Sequence, residues 1–369
     1  MDRRTFIAHA GGLAAAALIT PDAVAQASTP VATTAAPATA AWRRFEVVTD
    51  IEMRPDAGAT RLWLPIANAD DTDYYRSTGI TWSGNAAETG IYRDPVYGAP
   101  AFFARWDGTS LSELTVKNTF MARNRRVDLA RPRRPAPADD DLALYLASTP
   151  HIPTEGIVRE TARGIVRGHR TDPLTQARAI YEWIVENTYR DPKVAGCGTG
   201  DIVDMLESRR LGGKCADLNA LFVGLARASG IPARDVYGVR VASSGTWKSL
   251  GRAGDISKAQ HCRAEFWDAR FGWIPVDPAD VRKVVLEEDA SRILPLTDPR
   301  VVLARRALFG SWEMNWMPFN TAGDTSLAPP TSKPIGHFMY PHAETSRGVL
   351  DPYDPDGFRY RMTARETPA

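Results

Sequence analysis

The sequence predicts an α+β catalytic core preceded by an antiparallel β-sandwich. Residues 42–129 run in short apolar alternations such as FEVVTDIEM, ATRLWLPIA, AFFARWD and ELTVKNTFMA, punctuated by Gly, Pro, Asn and Asp. Two longer helical periodicities follow, and strand-like segments come after them, an order of helices first and strands later.

Ahead of both regions the chain opens MDRRTFIAHAGGLAAAALITPDAVAQAS. Arg3 and Arg4, the apolar run Phe6–Ile19 and the small residues Ala23 to Ala27 have the form of a twin-arginine export signal with a cleavage site, residues 1–27. The apolar run is shorter than the roughly 20 residues that a bilayer span requires. A periplasmic or secreted location is expected, with no integral span after cleavage. Residues 28–41 read as a low-complexity tether, too poor in large apolar side chains to pack.

The sandwich is expected over residues 42–130, where TRLWLPI places Leu62, Leu64 and Ile66 on one strand face. ARPRRPAPADDD begins a charged, proline-rich connector assigned to 131–150. A core over 151–290 then starts with helices. In DPLTQARAIYEWIVENTYR, Asp172 reads as an N-cap with Pro173 at N1, and Leu174, Ala177, Tyr181 and Ile184 form a buried stripe. LNALFVGLARASGIP repeats the signal and stops at Gly230 with Pro232 behind it. Residues 291–369 are expected as a β- and loop-rich extension packing on the core, with Trp312 and Trp316 buried.

The formal charge of +1 gives no reason to expect nucleic acid as a partner. There is no CxxC, HExxH or EF-hand spacing, so no metal and no cofactor are expected. The three cysteines, Cys197, Cys215 and Cys262, are an odd number for an exported chain. A Cys197–Cys262 bridge is compatible with an oxidising compartment.

Chemistry concentrates around Cys215, in GGKCADLNALFVGLARASGIPAR. A thiol at a helix N-terminus beside Lys214 is stabilised as thiolate. Gly212 and Gly213 would admit a substrate backbone, and the Cys215 N–H would serve as an oxyanion donor. A buried small apolar side chain also fits this stretch. In HCRAEFWDARFGWIPVD, hairpin pairing about residues 269–270 would set Asp277 opposite His261 or within one residue of it, with Asp280 the fallback carboxylate. Alternation would send Cys262 to the face opposite His261. Such a pair supplies a base and its orienting group; a surface cross-strand pair is the alternative.

GGKCADLNALFVGLARASGIPAR, then HCRAEF with GWIPVDPAD, resembles the transglutaminase-like superfamily over roughly 155–285. The resemblance implies a papain-like core with Cys215 as nucleophile, His261 as base and Asp277 as orienter. It further suggests Trp183 or Tyr189 as a cleft or oxyanion residue beside Lys214 and Gly213. Animal crosslinking enzymes carry Gln before and Trp after the nucleophile, where this chain has Lys214 and Ala216. Hydrolysis of a peptide or amide in a cell-envelope substrate is therefore expected. Amine transfer, and a binding module on the same fold that lacks turnover, are the alternatives.

Overall fold

The computed structural model describes residues 41–54, 58–67, 70–108, 111–132, 142–169, 172–356 and 358–368. The expected export signal, most of the tether and the middle of the connector lie outside the described residues.

The chain first lays down β1 (Arg43–Met53), β2 (Ala59–Pro65), β3 (Tyr75–Gly84), β4 (Glu88–Arg93), β5 (Pro100–Asp107), β6 (Ser112–Ala122) and β7 (Arg125–Arg126). Helices α1 (Gly156–Val166) and α2 (Pro173–Asn187) follow, then β8 (Tyr189–Arg190), α3 (Ile202–Ser208), β9 (Gly212–Gly213) and α4 (Cys215–Ala228). Next come β10 (Ala233–Arg240), β11 (Gly254–Asp255), β12 (Arg263–Asp268), β13 (Gly272–Val276), α5 (Pro278–Glu287) and α6 (Pro299–Ala307). The last stretch holds β14 (Ser311–Trp312), β15 (Trp316–Asn320), β16 (Gly323–Thr325), β17 (Ile335–His337), β18 (His342–Thr345), β19 (Gly348–Val349) and β20 (Tyr360–Thr367).

Two antiparallel five-stranded sheets form the sandwich, ordered β11-β20-β1-β6-β3 and β19-β18-β2-β5-β4. Alternate residues of β1 turn inward, burying Phe45, Val47, Ile51 and Met53. Leu62, Leu64 and Ile66 share that same apolar core. Trp63 points the other way and packs with Phe103, Leu327 and Phe338, so this sheet is covered on both faces. The extension is more than an appendage of the core: β20 pairs with β1 from Arg44↔Thr367 to Ile51↔Tyr360, and β18 pairs with β2. The sandwich therefore extends beyond residues 42–130, because β1 and β2 would be bare edge strands without the partners that the chain supplies only near its end.

In the core, α4 lies against the sheet β13-β12-β10-β15. Nearly every α4 residue is buried, as expected of a helix that is apolar on all sides. It ends before Gly230, whose φ of +79° takes the left-handed turn. Asp172 caps α2 by accepting the Thr175 N–H at 2.9 Å, with Pro173 as the first helical residue. Trp312 and Trp316 are buried and packed edge to face. Sandwich and core are joined by buried charge: Glu265 of β12 binds Arg125 of β7 and, at 2.6 Å, Arg234 of β10. Among the described residues no helix is long and apolar enough to cross a membrane.

One buried carboxyl sets a testable pH dependence. Both oxygens of Asp235 on β10 lack a hydrogen-bond partner among the described residues. Burial pushes its pKa to about 8 against the opposing charge of Arg227. Between about pH 4 and that value the folded chain holds a proton that the unfolded chain has lost, so this group's contribution to stability falls as pH rises. Thermal unfolding at pH 5 and pH 8 should show Asp235→Asn gaining in Tm relative to wild type as pH increases; a pH-independent difference would contradict this assignment.

Candidate active site

Cys215 is the first residue of α4 and is 4% exposed. The helix start is built by Asp217, which accepts the Lys214 N–H at 2.9 Å and the N–H groups of Thr199 and Gly200 at 3.0 Å. One carboxylate thus satisfies a helix-end donor and pins the 196–200 loop to it. Gly198 is required there: its φ is +95°, and a Cβ would fall on the Asp217 carboxylate. Ala216 N–H donates to Cys197 O at 2.9 Å, which brings the second cysteine to the first. The Cys215 N–H is one of the four donors that a helix start leaves without an intrahelical partner.

His261 meets the thiol from the sheet side: it lines the same cleft as Cys215 and acts to lower the pKa of that thiol. Its Nε2 lies 2.8 Å from Asp277 Oδ2 and 3.4 Å from Asp280 Oδ2. With carboxylates on Nε2, Nδ1 is the nitrogen left for proton exchange with the sulfur. Burial and the Arg240 charge press the imidazole toward neutrality, but Asp280 and Asp277 outweigh them and raise its pKa to about 9.

Asp277 directly follows β13 and caps α5, accepting the Asp280 N–H at 3.0 Å. Asn219, one turn along α4 from the thiol, donates to Asp277 Oδ1 at 3.3 Å and to Cys262 O at 2.9 Å. The second carboxylate is tied to Arg240, whose Nη2 is 2.5 Å from Asp280 Oδ1. Burial opposes ionisation of Asp280, yet Arg240 and His261 hold its carboxyl well below the ordinary range. Burial, followed by the Asp280 charge, raises Asp277. The donor atoms of His261, Asp277 and Asp280 lie within 4.8 Å of one another. A cation there would compete with Arg240 and with Arg263, whose Nε is 3.7 Å from Asp277 Oδ2.

The hairpin geometry differs from the simple expectation. Val276 pairs with Ala264, so the β12–β13 ladder runs on to set Asp277 against Arg263, with His261 two residues further out. His261 and Cys262 precede the first paired residue of β12, with a single bridge at Gln260↔Val239 behind them. Strand alternation does not govern this irregular backbone: His261 lines the cleft with Cys215, and Cys262 is buried in the same core cluster as Cys215.

The result is a cluster of three buried thiols, each of them free of any disulfide. Hydrogen bonds from Cys197, Cys262 and His261 hold the Cys215 thiol well below its ordinary pKa despite burial. Its neighbours are pushed the opposite way, Cys197 mainly by its bond to Cys215 and Cys262 mainly by burial, so they stay protonated as donors. Cys197 also sits 3.2 Å from Gln260 O. The sequence held no signal for this cluster beyond three isolated cysteines.

A cleft of about 470 Å³ opens onto Cys215 and His261, and Lys214 lines it. Trp183 instead packs on the helical core beside α4, as helix periodicity favours. Tyr189 is 49% exposed and lies against Gly212, outside the cleft lining, while Gly213 faces Asp217. The aromatic wall comes from residues that sequence reasoning missed, Tyr340 and Tyr353 of the C-terminal segment, packed edge to face at 4.9 Å between ring centroids.

Replacing Cys197 by Ala removes a thiolate donor and should shift the pH midpoint of Cys215 alkylation upward, with Cys197→Ser falling between because its hydroxyl still donates. Mass-spectrometric labelling rates across pH 5–9 test this; an unchanged midpoint in Cys197→Ala would show that the neighbouring thiol does not stabilise the anion.

With the site described, the chain can be set beside known proteins. Residues 159–278 match the sequence model of the transglutaminase-like superfamily. An uncharacterized protein of Haemophilus influenzae is 37% identical over 327 residues, covering 84% of this chain and 87% of that protein. A solved candidate cysteine protease from Cytophaga hutchinsonii has a TM-score of 0.55 over 90% of this chain and 93% of its own, at 14% identity, a likeness of fold. Over residues 159–278, which hold Cys215, His261 and Asp277, this chain carries a domain of the transglutaminase-like superfamily.

Proposed function

We propose that the chain is an exported, cysteine-dependent acyl-transfer enzyme that hydrolyses peptide or amide bonds, working in the periplasm or outside the cell after twin-arginine export. The observation that carries this reading is the contact of a depressed Cys215 thiol with an imidazole whose far nitrogen faces two carboxylates.

Cys215 Sγ attacks the substrate carbonyl carbon, and the developing oxyanion is received by the Cys215 N–H at the helix start. As the C–N bond breaks, His261 Nδ1–H protonates the leaving amine, giving a thioester and a free amine. Water then attacks the thioester while Nδ1 takes its proton. The C–S bond breaks, the carboxylic acid leaves, and the thiolate–imidazolium pair is restored. Asp277 holds the ring and balances its charge throughout, with Asp280 behind it. Lys214 and Ala216 beside the nucleophile favour water over amine as acceptor by the family comparison drawn from the sequence.

Cys215→Ala should abolish turnover of a peptide substrate. The kcat/KM profile should fall on its alkaline side near pH 9, where His261 gives up the proton meant for the leaving amine. Asp277→Asn should lower kcat/KM by about 10²–10⁴-fold and move that alkaline limb to lower pH, because a carboxylate that raises His261 is gone. A labelled primary amine incorporated faster than water would favour transfer over hydrolysis. Full cellular function retained by Cys215→Ala would favour a binding module and overturn the enzymatic reading.

A further inference from the structure

The cleft over Cys215 carries a charge imbalance that the near-neutral chain as a whole conceals. Seven Lys and Arg side chains line it against a single carboxylate, Glu287. Two of the seven are neutralised at close range, Arg190 by Glu287 and Arg240 by the buried Asp280. Lys258 has a long, exposed pairing with Asp356 at 3.8 Å.

The remaining four stand at separate places around the thiol. Lys214 adjoins the nucleophile in sequence, Lys248 and Arg252 lie in the loop between β10 and β11, and Lys283 belongs to α5. Among the described residues, the side chains of Lys214, Lys248 and Arg252 form no ion pair; the Lys248 backbone N–H donates to the Glu288 carboxylate at 2.9 Å, and the Arg252 Nε donates to the carbonyl of Asp255. Lys283 shares Glu287 with Arg190 at 3.6 Å. Burial and the Arg240 charge lower its pKa, so an arriving anion would relieve it.

We infer that the acyl donor is an acidic peptide whose carboxylates are received by Lys248, Arg252 and Lys283 while its backbone passes Cys215. This rests on the proposed acyl-transfer reading. A cleft with one sign of charge and low-dielectric walls concentrates the opposite sign and repels its own. The opposite wall is made of Tyr340, Tyr353 and Tyr360, suited to the apolar stems and backbone of a peptide. At about 470 Å³ the cleft takes a few residues. Beyond Arg252, Lys258 and Tyr360 it adjoins a groove of about 770 Å³ over β1 and β6, but five carboxylates line that groove against four cations, so the preference for acidic side chains is confined to the cleft. The sequence concealed this preference because the cations come from separate segments.

The test is protection of Cys215 from iodoacetamide, followed by mass spectrometry on the reduced protein, with pentaglutamate or pentaglutamine as competitor. Pentaglutamate should protect at concentrations at least about tenfold lower. The advantage should shrink between roughly 20 mM and 500 mM salt, as the screening length shortens. In the Lys248→Gln/Arg252→Gln double variant the advantage, read relative to that variant's own unprotected labelling rate, should disappear. Equal protection by the two peptides, or an advantage that survives in the double variant, would overturn the assignment. Tripolyphosphate protecting as well as pentaglutamate would also overturn it, by assigning the cleft to phosphate-rich anions. Failure of the acyl-transfer reading has a different signature: labelling without competitor that is slow and indifferent to His261→Ala.

Discussion

The site depends on one fully buried carboxylate. Asp277 directly follows a strand, caps α5, faces the imidazole and accepts from Asn219 of α4, so four elements meet at its two oxygens. An anion at 0% exposure is tolerated only when its acceptor positions are filled and its charge is matched. Arg263 and His261 supply the charge, and the α5 N-terminus adds its dipole. The same bonds that make the carboxylate tolerable orient His261. Stability and catalytic geometry therefore cannot be separated at this residue.

A second constraint acts across the join of sandwich and core. Glu265 is ionised between Arg125 and Arg234, whose charges outweigh the cost of its burial. Arg125 also donates to Trp273 O at 2.7 Å, fastening the end of the sandwich to the β12–β13 hairpin. That hairpin leads at one end from His261 and at the other to Asp277. Trp316 of β15 fixes the backbone beside the base, donating from its indole to His261 O at 2.9 Å. Rigid-body placement of the triad candidates is thus set partly by contacts outside the core.

What the sequence revealed was local. A cysteine ahead of an apolar run, a Pro after an Asp N-cap and a Gly-Ile-Pro stop define α2 and α4 through short-range rules, and the structure has them at those residues. His261 and Asp277 were legible as a hairpin pair, although the register carries them diagonally past each other. Pairing of β1 with β20 joins residues more than 300 positions apart, and no periodicity in either strand names its partner. The burial of Cys262 in the same core cluster as Cys215 was hidden for a related reason: alternation applies only inside a ladder, and β12 begins one residue later.

The C-terminal segment links these long-range pairings to the chemistry. Tyr340 and Tyr353 line the cleft; Tyr340 comes just before β18, which pairs with β2, and Tyr353 comes ahead of β20, which pairs with β1. Cys197 lines the same cleft beside Tyr340 and Cys215, its S–H donating to Gln260 O at 3.2 Å. A displacement of either sandwich sheet would therefore reach the thiolate through the shape of the cleft. In this architecture the sandwich acts on the site by holding one wall of it.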